Sequence, residues 1–173
     1  MNLTGGQFKG LKIDIPQNTR PTLSKTRQGV FNILNQFEYN SFFDMFSGSG
    51  LMGLEALSRG YSVMGLEINP KNFEIIKKNY KKINKNPNIL LKNALNYKTD
   101  LKFDIVYLDP PWDYDYEPVI KKAKEILSIN GVIVVEYDKE RNIDIQKIID
   151  DNNLNLKIIK SKKYGRSLVV ILS

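Results

Sequence analysis

From Ser41 onward, short apolar runs alternate with amphipathic segments, which is how a parallel sheet covered by helices on both faces is written. Strands are expected over 42–46, 62–67, 88–92, 103–109 and 132–137, and helices over 51–59, 70–84, 117–127 and 143–150. The second of these helices opens with Pro70, a favoured first-turn residue. Two β-rich runs, 154–161 and 167–172, are joined through Lys162, Lys163, Tyr164 and Gly165 and read as an antiparallel hairpin ending the sheet. Before Ser41 the composition changes to Gly5, Gly6, Gly10, Pro16 and Pro21, then a helix over 24–37 with Val30, Ile33, Leu34 and Phe37 at helical spacing. Residues 1–40 are therefore expected to form an appended arm and 41–173 one α/β, Rossmann-like domain, a division that suits a chain of 173 residues.

The run from Phe103 ends abruptly in Asp109, Pro110, Pro111 and Trp112, the only tryptophan. Proline has no N–H for a central ladder, so the chain must leave the sheet at Asp109. In open α/β sheets ligands bind beyond the carboxyl ends of strands, which puts these four residues at the mouth of a pocket. The chain has no cysteine and no histidine. Disulfides, thiolate metal sites, a cysteine nucleophile, imidazole acid–base chemistry and most zinc chemistry are thereby excluded, and no metal site is expected.

The loop after the first expected strand reads Asp44, Met45, Phe46, Ser47, Gly48, Ser49, Gly50, with Gly53 completing a G-x-G-x-x-G. Glu67 follows Gly48 by 19 residues, the spacing at which a carboxylate reaches ribose hydroxyls. A nucleoside ligand follows, and the glycines alone leave a dinucleotide and S-adenosylmethionine both open. Asp44 favours the second, because a carboxylate beside the loop repels a pyrophosphate and welcomes an ammonium and a sulfonium. Gly53 is better read as close helix–sheet packing. Asn93 and Ala94 follow the third strand, where an amide could read an adenine edge, although an asparagine there is also an ordinary turn residue.

An exocyclic amine on a base is a weak nucleophile because its lone pair is delocalised into the ring. The Asp109 carboxylate and the Pro110 carbonyl can each accept one amine hydrogen and draw the nitrogen toward tetrahedral geometry, and Trp112 offers a stacking face. Base–aromatic stacking of about 1–3 kcal/mol helps hold a base withdrawn from its own stack. A net charge of +7 favours a polyanionic partner. Residues 1–40 carry Lys9, Lys12, Arg20, Lys25 and Arg27 against Asp14 and Glu38, an excess that suits phosphate contact. No apolar run approaches the roughly 20 residues of a membrane span, and residues 1–10 lack a signal peptide's apolar stretch, so a cytoplasmic protein away from membranes is expected.

With these residues in place the chain resembles S-adenosylmethionine-dependent amino-methyltransferases carrying an Asp/Asn-Pro-Pro-aromatic motif, and within them the RsmD family of 16S rRNA guanine-N2 methyltransferases. The resemblance runs nearly end to end: Gly5 to Gly10, Arg20 to Arg27, Phe31 to Leu34, Gly53 to Arg59 and Lys163 to Gly165 carry it alongside the two general motifs. It implies a mostly parallel seven-stranded sheet with the C-terminal hairpin, and S-adenosylmethionine held by Asp44, Phe46, Gly48, Gly50, Glu67, Asn93 and Ala94. It further implies catalysis by Asp109, Pro110 and Trp112. The arm would close over cofactor and RNA, with Arg20, Thr22 and Pro111 near the target and Lys25 and Arg27 meeting phosphate. The implied partner is 16S rRNA or an assembling small ribosomal subunit, met by a monomer. Ser24 and Gln28 stand where the family more often has Asp and Glu, and Trp112 replaces the more frequent phenylalanine or tyrosine. The Asp-Pro-Pro-Trp motif alone also fits DNA adenine-N6 or cytosine-N4 methyltransferases, whose large target-recognition region has no room here. A non-catalytic RNA-binding module and a dehydrogenase are the other readings. The first is opposed by the intact motif residues, and the second by the lack of a histidine for hydride chemistry.

Overall fold

The computed structural model describes every residue except Asn18 and Arg20. Its elements are α1 (Ser24–Leu34), β1 (Ser41–Asp44), α2 (Leu51–Ser58), β2 (Ser62–Glu67), α3 (Pro70–Lys81), β3 (Ile89–Leu91), β4 (Phe103–Leu108), α4 (Tyr116–Ile126), β5 (Leu127–Asp138), a 3-10 turn (Lys139–Arg141), α5 (Ile145–Asp151), β6 (Ile158–Tyr164) and β7 (Ser167–Leu172). One sheet runs β3-β2-β1-β4-β5-β7-β6. The first five strands in that order are parallel, and β7 is antiparallel to both β5 and β6. This is the Rossmann-like sheet that the alternation dictates, with its antiparallel end.

Alternate residues of each central strand feed opposite faces, as the two-residue period requires. On one face Phe43, Val106, Leu108, Ile133 and Val135 pack with Val119, Ile120 and Ala123 of α4. On the other, Phe42, Ile105, Tyr107, Val132 and Val134 pack with Val30, Phe31 and Leu34 of α1 and Met52 and Ala56 of α2. Helix ends fall short of the apolar pattern where the last turn tightens. Beyond α1, Gln36 and Phe37 bond back three residues, and beyond α3, Asn84 turns left-handed at φ 53°.

The C-terminal hairpin corrects the sequence boundaries. Asn153 and Asn155 take positive φ, so the strand starts only at Ile158, and Lys162, Lys163 and Tyr164 belong to β6. The connection is the two residues Gly165 and Arg166, since Tyr164 pairs directly with Ser167. At the other end of the motif, β5 starts five residues earlier than Val132: Leu127 caps α4 in extended conformation and already pairs with Phe103. Among the described residues no helix is long and apolar enough to cross a membrane.

The N-terminal segment builds a third apolar cluster, in which Leu3 and Ile13 pack with Leu51 and Leu54 of α2 and Ile76 and Tyr80 of α3. Its turn docks on the end of α2. Gln7 N–H donates to the Ser58 carbonyl at 2.7 Å, Phe8 N–H to Ser58 Oγ at 2.9 Å, and Ser58 Oγ to the Gly5 carbonyl at 2.6 Å. Gly6 lies at φ 73°, and a Cβ there would stand 1.8 Å from the Ser58 carbonyl oxygen. Gly6→Ala is therefore expected to cost about 2 kcal/mol or more by denaturant unfolding, from left-handed strain and overpacking together. An unchanged unfolding midpoint would show that the turn is not held against α2.

Candidate active site

Sheet order reverses at β1, with β2 and β3 to one side and β4 and β5 to the other. A crevice at the carboxyl end of such a switch point is where open α/β sheets take ligands. Here a cavity of about 330 Å³ is lined by Asp44 to Ser49 after β1, Leu66 to Ile68 at the end of β2 and Tyr107 to Trp112 at the end of β4, except Leu108. Thr19, Pro21 and Thr22 of the N-terminal segment close part of its wall.

Asp44 is the electrostatic centre of the cofactor side. Its carboxyl is 1% exposed, and neither oxygen has a hydrogen-bond partner. Burial pushes its pKa up to about 7, assisted by the Glu67 carboxylate and opposed by the nearby backbone of Phe46 and Gly53. An orphaned buried carboxyl facing a cavity fits a cationic ligand, and the ammonium and sulfonium of S-adenosylmethionine meet that requirement. In the free protein the raised pKa means that Asp44 contributes stability at low pH that is lost as pH rises through about 7. A bound cation reverses the preference by favouring the ionised form. Cofactor affinity is thus expected to fall as pH drops below about 7, and Asp44→Asn to weaken binding and flatten that dependence, as titration calorimetry across pH would register. A flat wild-type profile would rule out Asp44 as the cation's partner.

Glu67 ends β2 half-turned into its own loop. Its carboxylate accepts from Gly48 N–H at 2.7 Å and Asn69 N–H at 2.7 Å, while burial raises its pKa against those bonds. It thereby fixes the turn at Gly48, whose φ of 55° suits glycine. Phe46 and Ala94 line the cavity, Phe46 with its ring edge-on to Tyr114 at 5.4 Å. Gly50 and Gly53 do not line it. Gly50 caps α2 beneath Ile76 of α3, and Gly53 makes room for Tyr80 and Val63. Asn93 is likewise outside the lining: its Oδ1 accepts from Leu95 N–H at 2.9 Å, the turn role rather than a base-reading one.

On the acceptor side Asp109, Pro110, Pro111 and Trp112 all line the cavity, Pro110 buried and Trp112 56% exposed at the mouth. Thr22 Oγ1 donates to Asp109 Oδ2 at 3.4 Å and lies 3.3 Å from the Tyr107 hydroxyl, which donates to Glu136 Oε2 at 2.6 Å. A polar chain thus runs from Thr22 of the N-terminal segment through Tyr107 of β4 to Glu136 of β5, with Asp109 branching from Thr22.

The arm's basic residues divide. Arg20 lies outside the described residues, and Lys25 is exposed on the first turn of α1. Arg27 does not meet phosphate, because it is fully buried. Its Nε pairs with Glu55 at 3.0 Å, Nη2 donates to the Asn2 carbonyl at 2.7 Å, and Nη1 donates to the Thr22 carbonyl. Glu55 also pairs with Arg59 and accepts from Thr4 N–H at 2.6 Å. The pair is a clamp between arm and α2. Sequence reading assigns no role to Glu55, Tyr107, Glu136 and Arg141, and it leaves Tyr114, which could extend the stacking surface, out of the site. The visible signals were the lone carboxylates in the otherwise apolar α2 and 132–137 runs.

The family described as conserved hypothetical protein 95 matches residues 1–173. The chain is 36% identical to "Ribosomal RNA small subunit methyltransferase D" of Buchnera aphidicola over 84% of its length and 82% of that protein's. It is 30% identical to the protein of the same name from Escherichia coli over 83% and 77% of the two lengths. A hypothetical protein of Thermus thermophilus shares the fold at a TM-score of 0.81, with 19% identity over 99% of this chain and 98% of that one.

Proposed function

The chain belongs to the RsmD family, described as conserved hypothetical protein 95, and we propose that it transfers a methyl group from S-adenosylmethionine to the N2 amine of a guanine in 16S rRNA. The observation that carries this reading is one cavity holding both a buried carboxyl without a partner, Asp44, and the amine-accepting loop of Asp109 and Pro110. S-adenosylmethionine supplies an electrophilic methyl group when bound. Asp44 would hold its positive charge and Glu67 its ribose, with Phe46, Gly48 and Ala94 shaping the wall. Asp109 and the Pro110 carbonyl would accept the two amine hydrogens, localise the nitrogen lone pair and aim it, with no group of the protein needed as a covalent nucleophile. After transfer the extra proton of the methylated nitrogen is shed toward the Asp109 side. Trp112 and Pro111 would flank the flipped base.

Thr22 and Lys25, with Arg20, would form the RNA side of the arm, residues 1–40 acting as the substrate-covering extension of the 41–173 domain. The substrate would be the small ribosomal subunit, whole or part-assembled, met by a monomer in the cytoplasm. Labelled methyl transfer to small subunits from cells lacking the protein, to naked ribosomal RNA and to duplex DNA tests the reading. Label is expected on ribosomal RNA. Label on DNA adenine alone would replace the reading with DNA amino-methylation.

A further inference from the structure

Strand β6 is a free edge of the sheet, pairing with β7 alone, and all of its residues except Tyr164 are exposed. Residues 157–166 carry Lys157, Lys160, Lys162, Lys163 and Arg166 and no carboxylate. Arg166 is taken up by Asp138 and Glu140, each at 3.0 Å, whereas none of the four lysines has an ion pair among the described residues. Lysines on the helices do find carboxylates on their own surfaces, Lys77 with Glu74, Lys121 with Glu117 and Lys147 with Asp151. We infer that Lys160 and Lys162, continued by Lys25 of α1, form a contact for the RNA backbone outside the catalytic cavity, a basic strip leading from the cavity mouth down the sheet edge. This inference rests on the reading of the substrate as ribosomal RNA.

Register decides which lysines share a face. Lys160 lies opposite Ile171 and Lys162 opposite Val169, and both partners belong to the apolar cluster beneath α1, so these two lysines stand on the α1 face. Lys163 lies opposite Leu168 and takes the other face. Tyr164 bridges strand and helix: it packs on the cluster beneath α1, and its hydroxyl stands against Gly29, where a Cβ would come within 2.1 Å. Lys162 Nζ lies 5.5 Å from the centre of the Tyr164 ring. On α1, exposed Lys25 precedes Gly29 by four residues and so shares its side of the helix, one turn nearer the cavity. Three residues before Lys25, Thr22 donates to Asp109. The path from Asp109 therefore runs through Thr22 to Lys25, over Tyr164 to Lys162 and, about 7 Å further along the strand, to Lys160.

A row of unneutralised cations on one face complements a polyanionic strand. Charge on an edge strand also keeps it from pairing with another chain. That second role is served by charge of either sign, whereas phosphate requires positive charge, so reversing the sign separates the two.

The test measures binding and methylation of small ribosomal subunits from cells lacking the protein, and binding of protein-free 16S rRNA, across salt concentrations. Lys160→Gln combined with Lys162→Gln is expected to reduce the slope of log association constant against log salt by about 1.5, and to weaken binding about tenfold near physiological salt. KM for subunits should rise in step, with kcat and the affinity for S-adenosylmethionine within about twofold of wild type. Lys160→Glu with Lys162→Glu should bind more weakly still while eluting as a monomer in gel filtration. Lys78→Gln with Lys81→Gln removes the same charge from exposed positions of α3, which packs beside β2 and β3 at the other end of the sheet order, and should leave the slope unchanged. An unchanged slope for the β6 pair, an equal fall for the α3 pair, or charge-reversed protein that binds like wild type would overturn the inference. A loss seen with subunits and absent with protein-free 16S rRNA would also overturn it, assigning the strip to a ribosomal protein. A wild-type protein that neither binds nor methylates RNA would instead remove the reading on which the inference stands.

Discussion

Asp109→Ala is expected to reduce methyl transfer by about 10²- to 10³-fold while leaving the dissociation constant for S-adenosylmethionine within about threefold of wild type. The split follows from position. Asp109 leaves the sheet at the end of β4, on the β4 side of the cavity, and its Oδ2 accepts from Thr22 of the arm. On the proposed reaction, removing its carboxylate would take away one of two acceptors that localise the amine lone pair, an interaction made most strongly in the transition state, so kcat should fall and cofactor binding should not. Asp109→Asn, which keeps an acceptor oxygen, should fall between. Thr22→Val removes the hydroxyl that bridges Asp109 and Tyr107 and should cost less than Asp109→Ala, since it loosens the carboxylate without deleting it. Single-turnover rates with the protein in excess over subunits give the comparison. An Asp109→Ala variant that keeps more than about a tenth of wild-type activity would move the chemistry elsewhere in the cavity.

Arg27→Ala is expected to cost about 3–5 kcal/mol of stability, because it deletes a buried guanidinium that satisfies two backbone carbonyls and leaves the buried Glu55 carboxylate to Arg59 and Thr4 N–H alone. Arg27 and Glu55 are both fully buried, and the guanidinium joins the Asn2 and Thr22 carbonyls to α2. For a domain of this size the melting temperature should drop by about 10 °C. Glu55→Gln should cost a comparable amount: the amide still accepts from Thr4 N–H, but the fully buried Arg27 cation loses its anionic partner and Arg59 is released. The alternative, a phosphate-contacting Arg27, has the opposite signature: an unchanged melting temperature and a salt dependence of RNA binding reduced by about one unit of slope. Loss of the clamp should also loosen Thr22, so some activity is lost even below the melting transition.

The sheet was legible because a parallel strand buried on both faces has few ways to be written. Phe103 to Leu108 is apolar at five of six positions and halts at prolines that cannot continue it. The site was legible for the same topological reason, since loops at the carboxyl ends of β1, β2 and β4 converge wherever such a sheet reverses order. Boundaries were less so: a left-handed Asn155 delays β6 and an extended Leu127 advances β5, and neither conformation is dictated by its residue type. Arg27 misled because a basic residue in a basic arm looks solvated from sequence. Its partner Glu55 is 28 residues away on another helix, and only packing brings the two together. For the Asn93 amide the sequence leaves a base contact and a turn role open, and its Oδ1 accepts locally from Leu95 N–H, the competition that favours asparagine in turns. Glu136 went unread because a carboxylate in a strand acquires meaning only from what its neighbour β4 places beside it, here the Tyr107 hydroxyl.

The most direct measurement is mass analysis of nucleosides from small-subunit RNA after incubation of small ribosomal subunits with the protein and S-adenosylmethionine. The subunits come from cells that lack the protein. About one N2-methylguanosine gained per subunit is the expected result. Methyl groups on adenine or cytosine, or none on RNA despite bound cofactor, would contradict it.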